Sequence, residues 1–264
     1  MYEEIKKLVE DFKELPQVEA FAVGGSRATG KADAKSDYDM YLYVTNPVEL
    51  DAREAILRKY CGAMEIGNHY WENEDNCTLK NGIDIDLIYR GLDDFARGIS
   101  AVVDDCQSAN GYTTCMWHNL LTCDIVFDKN GRLSALKKRY TVPYPEQLKR
   151  NIITQNLNLL SGVLPSYDLQ IKKAAARGDL VSINHRTAEF LASYFDVIFA
   201  LNEMTHPGEK RMMAICKAQC EILPANFEEN LNAMFHSMFE GDALNRAVET
   251  LVLELCKAAG VYRL

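Results

Sequence analysis

Gly24, Gly25 and Ser26 close the β-rich run VEAFAVGG, and further along Asp37 and Asp39 flank Tyr38 at the head of a second such run, YDMYLYVT. Both patterns suit chemistry on phosphates. Glycines let backbone N–H groups face a triphosphate with no side chain in the way, and a Ser hydroxyl adds a donor. On a strand, side chains two apart share a face, so the carboxylates of Asp37 and Asp39 can converge on one cation. Mg²⁺ takes hard oxygen ligands, commonly one or two carboxylates completed by substrate phosphates.

The same stretch also spells G-x-x-x-x-G-K through Gly25, Gly30 and Lys31. A phosphate-cradling P-loop needs a hydroxyl after its Lys and a helix whose N-terminus faces the phosphates. Ala32 follows Lys31, and the sequence DAKSDYDMYLYV runs through a polar turn into an alternating strand. The P-loop reading fails on both counts, and a metal-dependent nucleotidyl transfer site uses the residues that it leaves over.

An apolar residue, Gly24, Gly25, Ser26, a spacer, then Asp37-Tyr38-Asp39 between apolar residues resembles the polymerase-beta-like nucleotidyltransferase superfamily, and the run GIDIDLIYR supports it. Within that superfamily the chain is most similar to the small bacterial aminoglycoside and lincosamide nucleotidyltransferases. The resemblance implies a third carboxylate on a neighbouring strand. Asp84 and Asp86 are the two candidates, and Asp86, in the run Asp86-Leu87-Ile88-Tyr89-Arg90, matches the version in the small members. It implies further that Asp37, Asp39 and Asp86 hold one or two Mg²⁺ ions, with Asp84 or Asp86 near the acceptor as base. Gly24, Gly25, Ser26 and Arg27 would then bind the nucleotide, although Arg27 could equally pair with an acidic neighbour. FALNEMTHPGEKRMM resembles the segment that sends a lysine onto the triphosphate, here Lys210.

The implied activity moves a nucleoside monophosphate, AMP from ATP before other triphosphates, to a hydroxyl of a small molecule such as an aminoglycoside-like or lincosamide-like compound, releasing pyrophosphate. Two alternatives belong to other classes: an antitoxin-like nucleotidyltransferase that modifies a protein partner, and a nucleotide-binding sensor without catalysis.

The elements that must position these residues fall into two textures. From about residue 18 to 135, strand-like runs alternate with helical ones: PVELDAREAILRKYC and LDDFARGISAVVDDC read as helices, and LLTCDIVFDKNGRL as a final strand. Asn81-Gly82 between two alternating runs predicts a hairpin. After Pro143 and Pro145 the pattern is helical throughout, with apolar residues at 3.6 spacing in five long segments. The expected fold is α+β: a mixed-sheet catalytic domain over 1–140 followed by an all-helical bundle domain over 141–264.

The chain has 264 residues, a hydrophobic share of 48% and a formal net charge of -9. That charge argues against a nucleic-acid partner, because phosphate backbones are held by clustered Lys and Arg, and it suits a small or cationic acceptor. No apolar span approaches membrane length, and the eight cysteines are scattered, so a cytoplasmic protein without membrane contact is expected. The five histidines show no metal-ligand spacing. Trp71 with Glu65, Glu72, Glu74 and Asp75 is expected as a solvated loop, with reception of a cationic sugar as the alternative.

Overall fold

A computed structural model describes residues 3–28, 37–70 and 72–261. Among these, the β-branched and aromatic runs form strands β1 (Val18–Val23), β2 (Tyr38–Val44), β3 (Cys61–Asn68), β4 (Glu74–Leu79), β5 (Asp84–Gly91) and β6 (Asp124–Asp128). They make one mixed sheet in the order β3-β4-β5-β2-β1-β6. Only the β2–β5 pairing is parallel among the described strands; β1–β2, β1–β6, β3–β4 and β4–β5 are antiparallel. The Asn81-Gly82 hairpin joins β4 to β5, with Gly82 at φ +86 and Asn81 Oδ1 accepting from the Ile83 N–H at 3.2 Å.

The antiparallel β1–β2 pair excludes the P-loop on topological grounds, since that motif sends a strand through a helix to a parallel neighbour. Between them lies the one-turn helix α2 (Gly25–Ala28). Residues 29–36, Gly30 and Lys31 included, lie outside the described residues.

Helices α1 (Glu3–Lys13) and α3 (Leu50–Tyr60) cover one face of the sheet. Ile5, Leu8 and Phe12 of α1 and Ile56 and Leu57 of α3 pack in one buried cluster with Phe21, Met40, Leu42, Leu87 and Leu79. Period-2 alternation therefore sends Tyr38, Met40, Leu42 and Val44 of β2 into this core and leaves Asp39, Tyr41 and Tyr43 on the opposite face. There Phe95 of α4 (Leu92–Val103) packs on Tyr43, ring centroids 5.1 Å apart. Helices α5 (Cys115–Thr122) and α6 (Arg132–Arg139) flank β6 in the chain.

The helical texture becomes α7 (Glu146–Leu160), α8 (Tyr167–Ala176), α9 (Leu180–Leu201), α10 (Met212–Gln219), α11 (Phe227–His236) and α12 (Asp242–Ala258). Their apolar stripes share a second core built from Leu157, Phe190, Tyr194, Val197, Leu231, Leu251 and their neighbours. Asp179 caps α9 by accepting the Ser182 N–H at 3.0 Å.

By contacts the chain divides into Met1–Ser100 with Asn119–Val142, and Ala101–His118 with Pro143–Leu264. Residues 101–118, expected within the first domain, thus belong with the helices. The reason is a set of side-chain to backbone bonds: Thr113 N–H donates to Asp196 at 3.1 Å, Gly111 N–H to Asn156 Oδ1 at 3.1 Å, and Asn151 Nδ2 to the Cys106 carbonyl at 2.7 Å. No local pattern in 101–118 announces these partners.

Candidate active site

β2 begins at Tyr38, so Asp37 stands just before the strand and Asp39 is its second residue. In the parallel β2–β5 register Asp39 pairs with Asp86. Register partners point the same way, so the two carboxylates sit side by side on the face away from the apolar core, roughly 5 Å apart at the backbone. Asp84 is on that face too, exposed at the start of β5, where Thr78 Oγ1 donates to it at 2.7 Å. Asp37 is exposed, and its carbonyl accepts from Arg27 Nε at 3.2 Å. Arg27 also lies over the Tyr38 ring at 4.0 Å, which ties it to the head of β2.

The glycines earn their place through close approach to β2. Gly24 donates its N–H to the Asp39 carbonyl at 2.8 Å, and a Cβ there would lie 2.3 Å from the Tyr41 ring. Gly25 has φ +60, and a Cβ on it would lie 1.9 Å from Asp39 Oδ2. Any side chain at 25 would therefore push the carboxylate aside. Ser26 follows in α2, and its side chain lies outside the described residues. Lys210 is exposed in the second unit, just ahead of Arg211, the αL residue that precedes α10.

Around Asp86 the structure gathers residues that the sequence reading left in a loop. Glu65 lies in β3, Glu74 and Asp75 lie in β4, and Glu74 is 8% and Asp75 0% exposed. The expected solvated loop is thus largely sheet, with Asp75 buried against Arg53 and Tyr89; Trp71 lies outside the described residues. Glu72 takes both Arg90 Nε and Nη2, at 2.7 and 2.6 Å. Burial disfavours the charge on Arg90, but Glu72 outweighs that and raises its pKa above the ordinary value. Arg90 also stacks on Tyr41 at 4.3 Å and donates to Asn119 Oδ1 at 3.1 Å. Burial, then the charges of Asp86 and Glu72, hold the Glu74 carboxyl above the usual range. Asn76 pairs with Asp86 across β4–β5 and donates Nδ2 to Asp86 Oδ1 at 2.8 Å. The signal for this strand was present in EDNCTL, where Asp75, Cys77 and Leu79 alternate with Glu74, Asn76 and Thr78.

Among the described residues no three His, Cys, Asp or Glu side chains come together as a metal-holding group. Of the carboxylates on the open face, Asp39 and Asp86 are register partners on adjacent strands, a pair of the size that Mg²⁺ uses when phosphates complete its sphere. Gly25 packs against Asp39 and fixes where its carboxylate lies, and two adjacent hard-oxygen carboxylates are the donor chemistry that Mg²⁺ takes, so the residues present fit it.

The family described as a nucleotidyltransferase domain matches residues 5–107, the stretch that contains this sheet face. Residues 5–107 form a nucleotidyltransferase domain. A domain of unknown function, DUF4037, matches residues 112–212, which follow the nucleotidyltransferase domain in the chain. No curated protein matches the chain at a significant level. Among solved structures, a nucleotidyltransferase-like protein from Exiguobacterium sibiricum is 9% identical, covering 97% of this chain and 77% of its own, with a TM-score of 0.43. An aminoglycoside 6-adenyltransferase from Bacillus subtilis is 9% identical over 100% of this chain and 94% of its own, with a TM-score of 0.30. A CCA-adding enzyme from Thermotoga maritima, complexed with tRNA, is 11% identical over 98% of this chain and 82% of its own, with a TM-score of 0.27. At such TM-scores these likenesses carry no argument about substrate. No helix among the described residues is long and apolar enough to cross a membrane.

Proposed function

We propose that this nucleotidyltransferase uses Mg²⁺ and moves AMP from ATP to a hydroxyl of a small molecule, releasing pyrophosphate. The observation that supports this reading most is the Asp39–Asp86 register pair, with Gly25 packed against the Asp39 carboxylate. Asp39 and Asp86, joined by Asp37 from the head of β2, are the residues that would hold the metal. Bound there, Mg²⁺ neutralises triphosphate charge and lowers the pKa of an attacking hydroxyl.

The chain's own residues do the rest. Gly25, Ser26 and Arg27 receive the phosphates, while Gly24, whose N–H is taken by the Asp39 carbonyl, lets the chain pass close to Tyr41. Asp84 or Asp86 accepts the proton of the acceptor hydroxyl as it attacks the α-phosphorus and the bond to pyrophosphate breaks in line. The net charge of -9 favours a neutral or cationic acceptor over a polyanion. The aminoglycoside-like and lincosamide-like classes are those that the resemblance implies.

Thermal unfolding with each nucleoside triphosphate, with and without Mg²⁺, tests the reading. A ligand at a hundred times its Kd adds about 2.7 kcal/mol, which for a chain of this size is a rise of several degrees. The expected result is a rise with ATP that needs Mg²⁺. No rise with any triphosphate in Mg²⁺ overturns the proposal. Transfer of label from α-labelled ATP to small hydroxyl compounds, to proteins or to tRNA then identifies the acceptor class.

A further inference from the structure

Four acids in or beside this sheet are partnered in two ways. Asp75 of β4, and Glu72 just ahead of that strand, each face an arginine, Arg53 and Arg90. Asp86 and Asp84 instead accept from neutral side chains, Asn76 and Thr78. An arginine would orient a carboxylate but also neutralise it, leaving little charge for a cation. A neutral amide orients the oxygen and leaves the charge in place.

We propose that Asn76 is a positioning residue that aims Asp86 at the metal, with Asn68 behind it, an inference that rests on the function proposed above. The direction of the chain of hydrogen bonds is fixed by its end. A carboxylate only accepts, so Asn76 must turn Nδ2 toward Asp86, which it reaches at 2.8 Å. Its Oδ1 then faces away and needs a donor. Asn68 Nδ2 supplies one at 2.7 Å. Donors polarised in one sense strengthen one another, and each link is anchored on a strand: Asn68 ends β3, and Asn76 is the register partner of Asp86. Asn76 is thereby held in the one amide orientation that serves Asp86, and the Asp86 carboxylate is held in one rotamer.

The test is calorimetric titration of the full chain with α,β-methylene-ATP, once in Mg²⁺ and once in EDTA, so that binding is read without turnover. Asn76→Leu keeps the volume and removes the donor. Outer hydrogen-bond partners of metal ligands are typically worth about 10–100-fold in metal affinity, so Mg²⁺-dependent binding should weaken at least about tenfold, while binding in EDTA stays within about twofold. Asn76→Gln, which keeps the amide, should recover part of the loss, and Asn68→Leu should cost only a few-fold. If the melting curve shows that Asn76→Leu does not fold, Asn76→Thr takes its place. Equal losses with and without Mg²⁺ would mark a structural role and overturn the inference. So would unchanged Mg²⁺-dependent binding in Asn76→Leu when Asp86→Asn abolishes it. Absence of Mg²⁺-dependent binding in the unmodified protein sinks the proposed function itself, a different outcome from either.

Discussion

Asp75 and Glu74 are neighbours on β4, yet alternation sends them to opposite faces of the sheet and into opposite surroundings. On the core face Asp75 accepts from Arg53 Nη1 at 3.2 Å, Tyr89 Oη at 2.7 Å and the Gly67 N–H at 2.8 Å. Arg53 in turn donates to the Val48 carbonyl at 2.9 Å and lies over the Tyr89 ring at 4.2 Å. Burial and the adjacent Asp75 carry the Tyr89 hydroxyl well above its ordinary pKa. On the other face Glu74 is buried beside Asp86 and Glu72, and its carboxyl is pushed up. The core face pairs its buried acid with Arg53; the other face pairs Glu72 with Arg90 but leaves Glu74 and Asp86 as neighbouring like charges, a cost to folding that a bound cation would relieve.

The largest effect should come from breaking the satisfied face. Arg53→Met leaves Asp75 buried without its cation and should cost about 3–5 kcal/mol in urea unfolding, while turnover per folded molecule stays near normal. A loss under about 1 kcal/mol would mean that the pair stabilises little. The opposite signature belongs to Asp39→Asn. Removing one of the carboxylates proposed to hold the metal should lower turnover about a thousandfold, roughly 4 kcal/mol of barrier, with stability unchanged or raised. If both variants lose stability and activity together, the division of labour between the faces is wrong.

Asp196, in the helical unit, sharpens the comparison because it is a buried acid whose named donors are neutral. It is 1% exposed and accepts from the Thr113 N–H and Oγ1 and from Asn156 Nδ2, the last at 3.3 Å. Burial raises its pKa from 3.8 to about 6, against the Thr113 hydrogen bonds, which lower it. A raised pKa means that the folded state binds the proton more tightly than the unfolded chain. The stabilisation is complete below about pH 4 and is lost as pH rises through about 6. Over that window the loss is on the order of 2–3 kcal/mol. Asp196→Asn mimics the neutral form, so the difference in unfolding free energy between variant and parent should grow in the variant's favour from pH 4 to pH 7. A difference that does not change with pH would contradict the assignment.

Smaller effects probe the edges of the open face. Gly25→Ala should displace the Asp39 carboxylate and cost about tenfold in turnover, with about 1 kcal/mol of stability from the positive φ. Normal turnover would show that Asp39 can move without consequence. Lys210, assigned to the triphosphate by resemblance alone, is tested by Lys210→Ala. A rise in nucleotide Kd of a few-fold is expected, about 1 kcal/mol, and an unchanged Kd removes it from the site.

The sequence by itself determined the local pieces. Alternation marked β1, β2 and β5, Asn81-Gly82 marked the hairpin, and 3.6 periodicity marked the helices, since each is set by backbone preference and side-chain direction within a few residues. Gly24-Gly25 and Asp37-Tyr38-Asp39 suggested phosphate chemistry on the same local grounds. β3 was not legible, because CGAMEIGN alternates only Met64 and Ile66 as an apolar pair between two glycines, too short a pattern to mark an edge strand that its hydrogen bonds to β4 complete. Nor was the attachment of residues 101–118 to the helices, which depends on Asn151, Asn156 and Asp196 far along the chain. Only the tertiary structure put Asp39 opposite Asp86 rather than Asp84, and Asn76 beside it. Strand register decides which carboxylates are neighbours, and register is fixed by pairing between segments whose own sequences do not specify their partners.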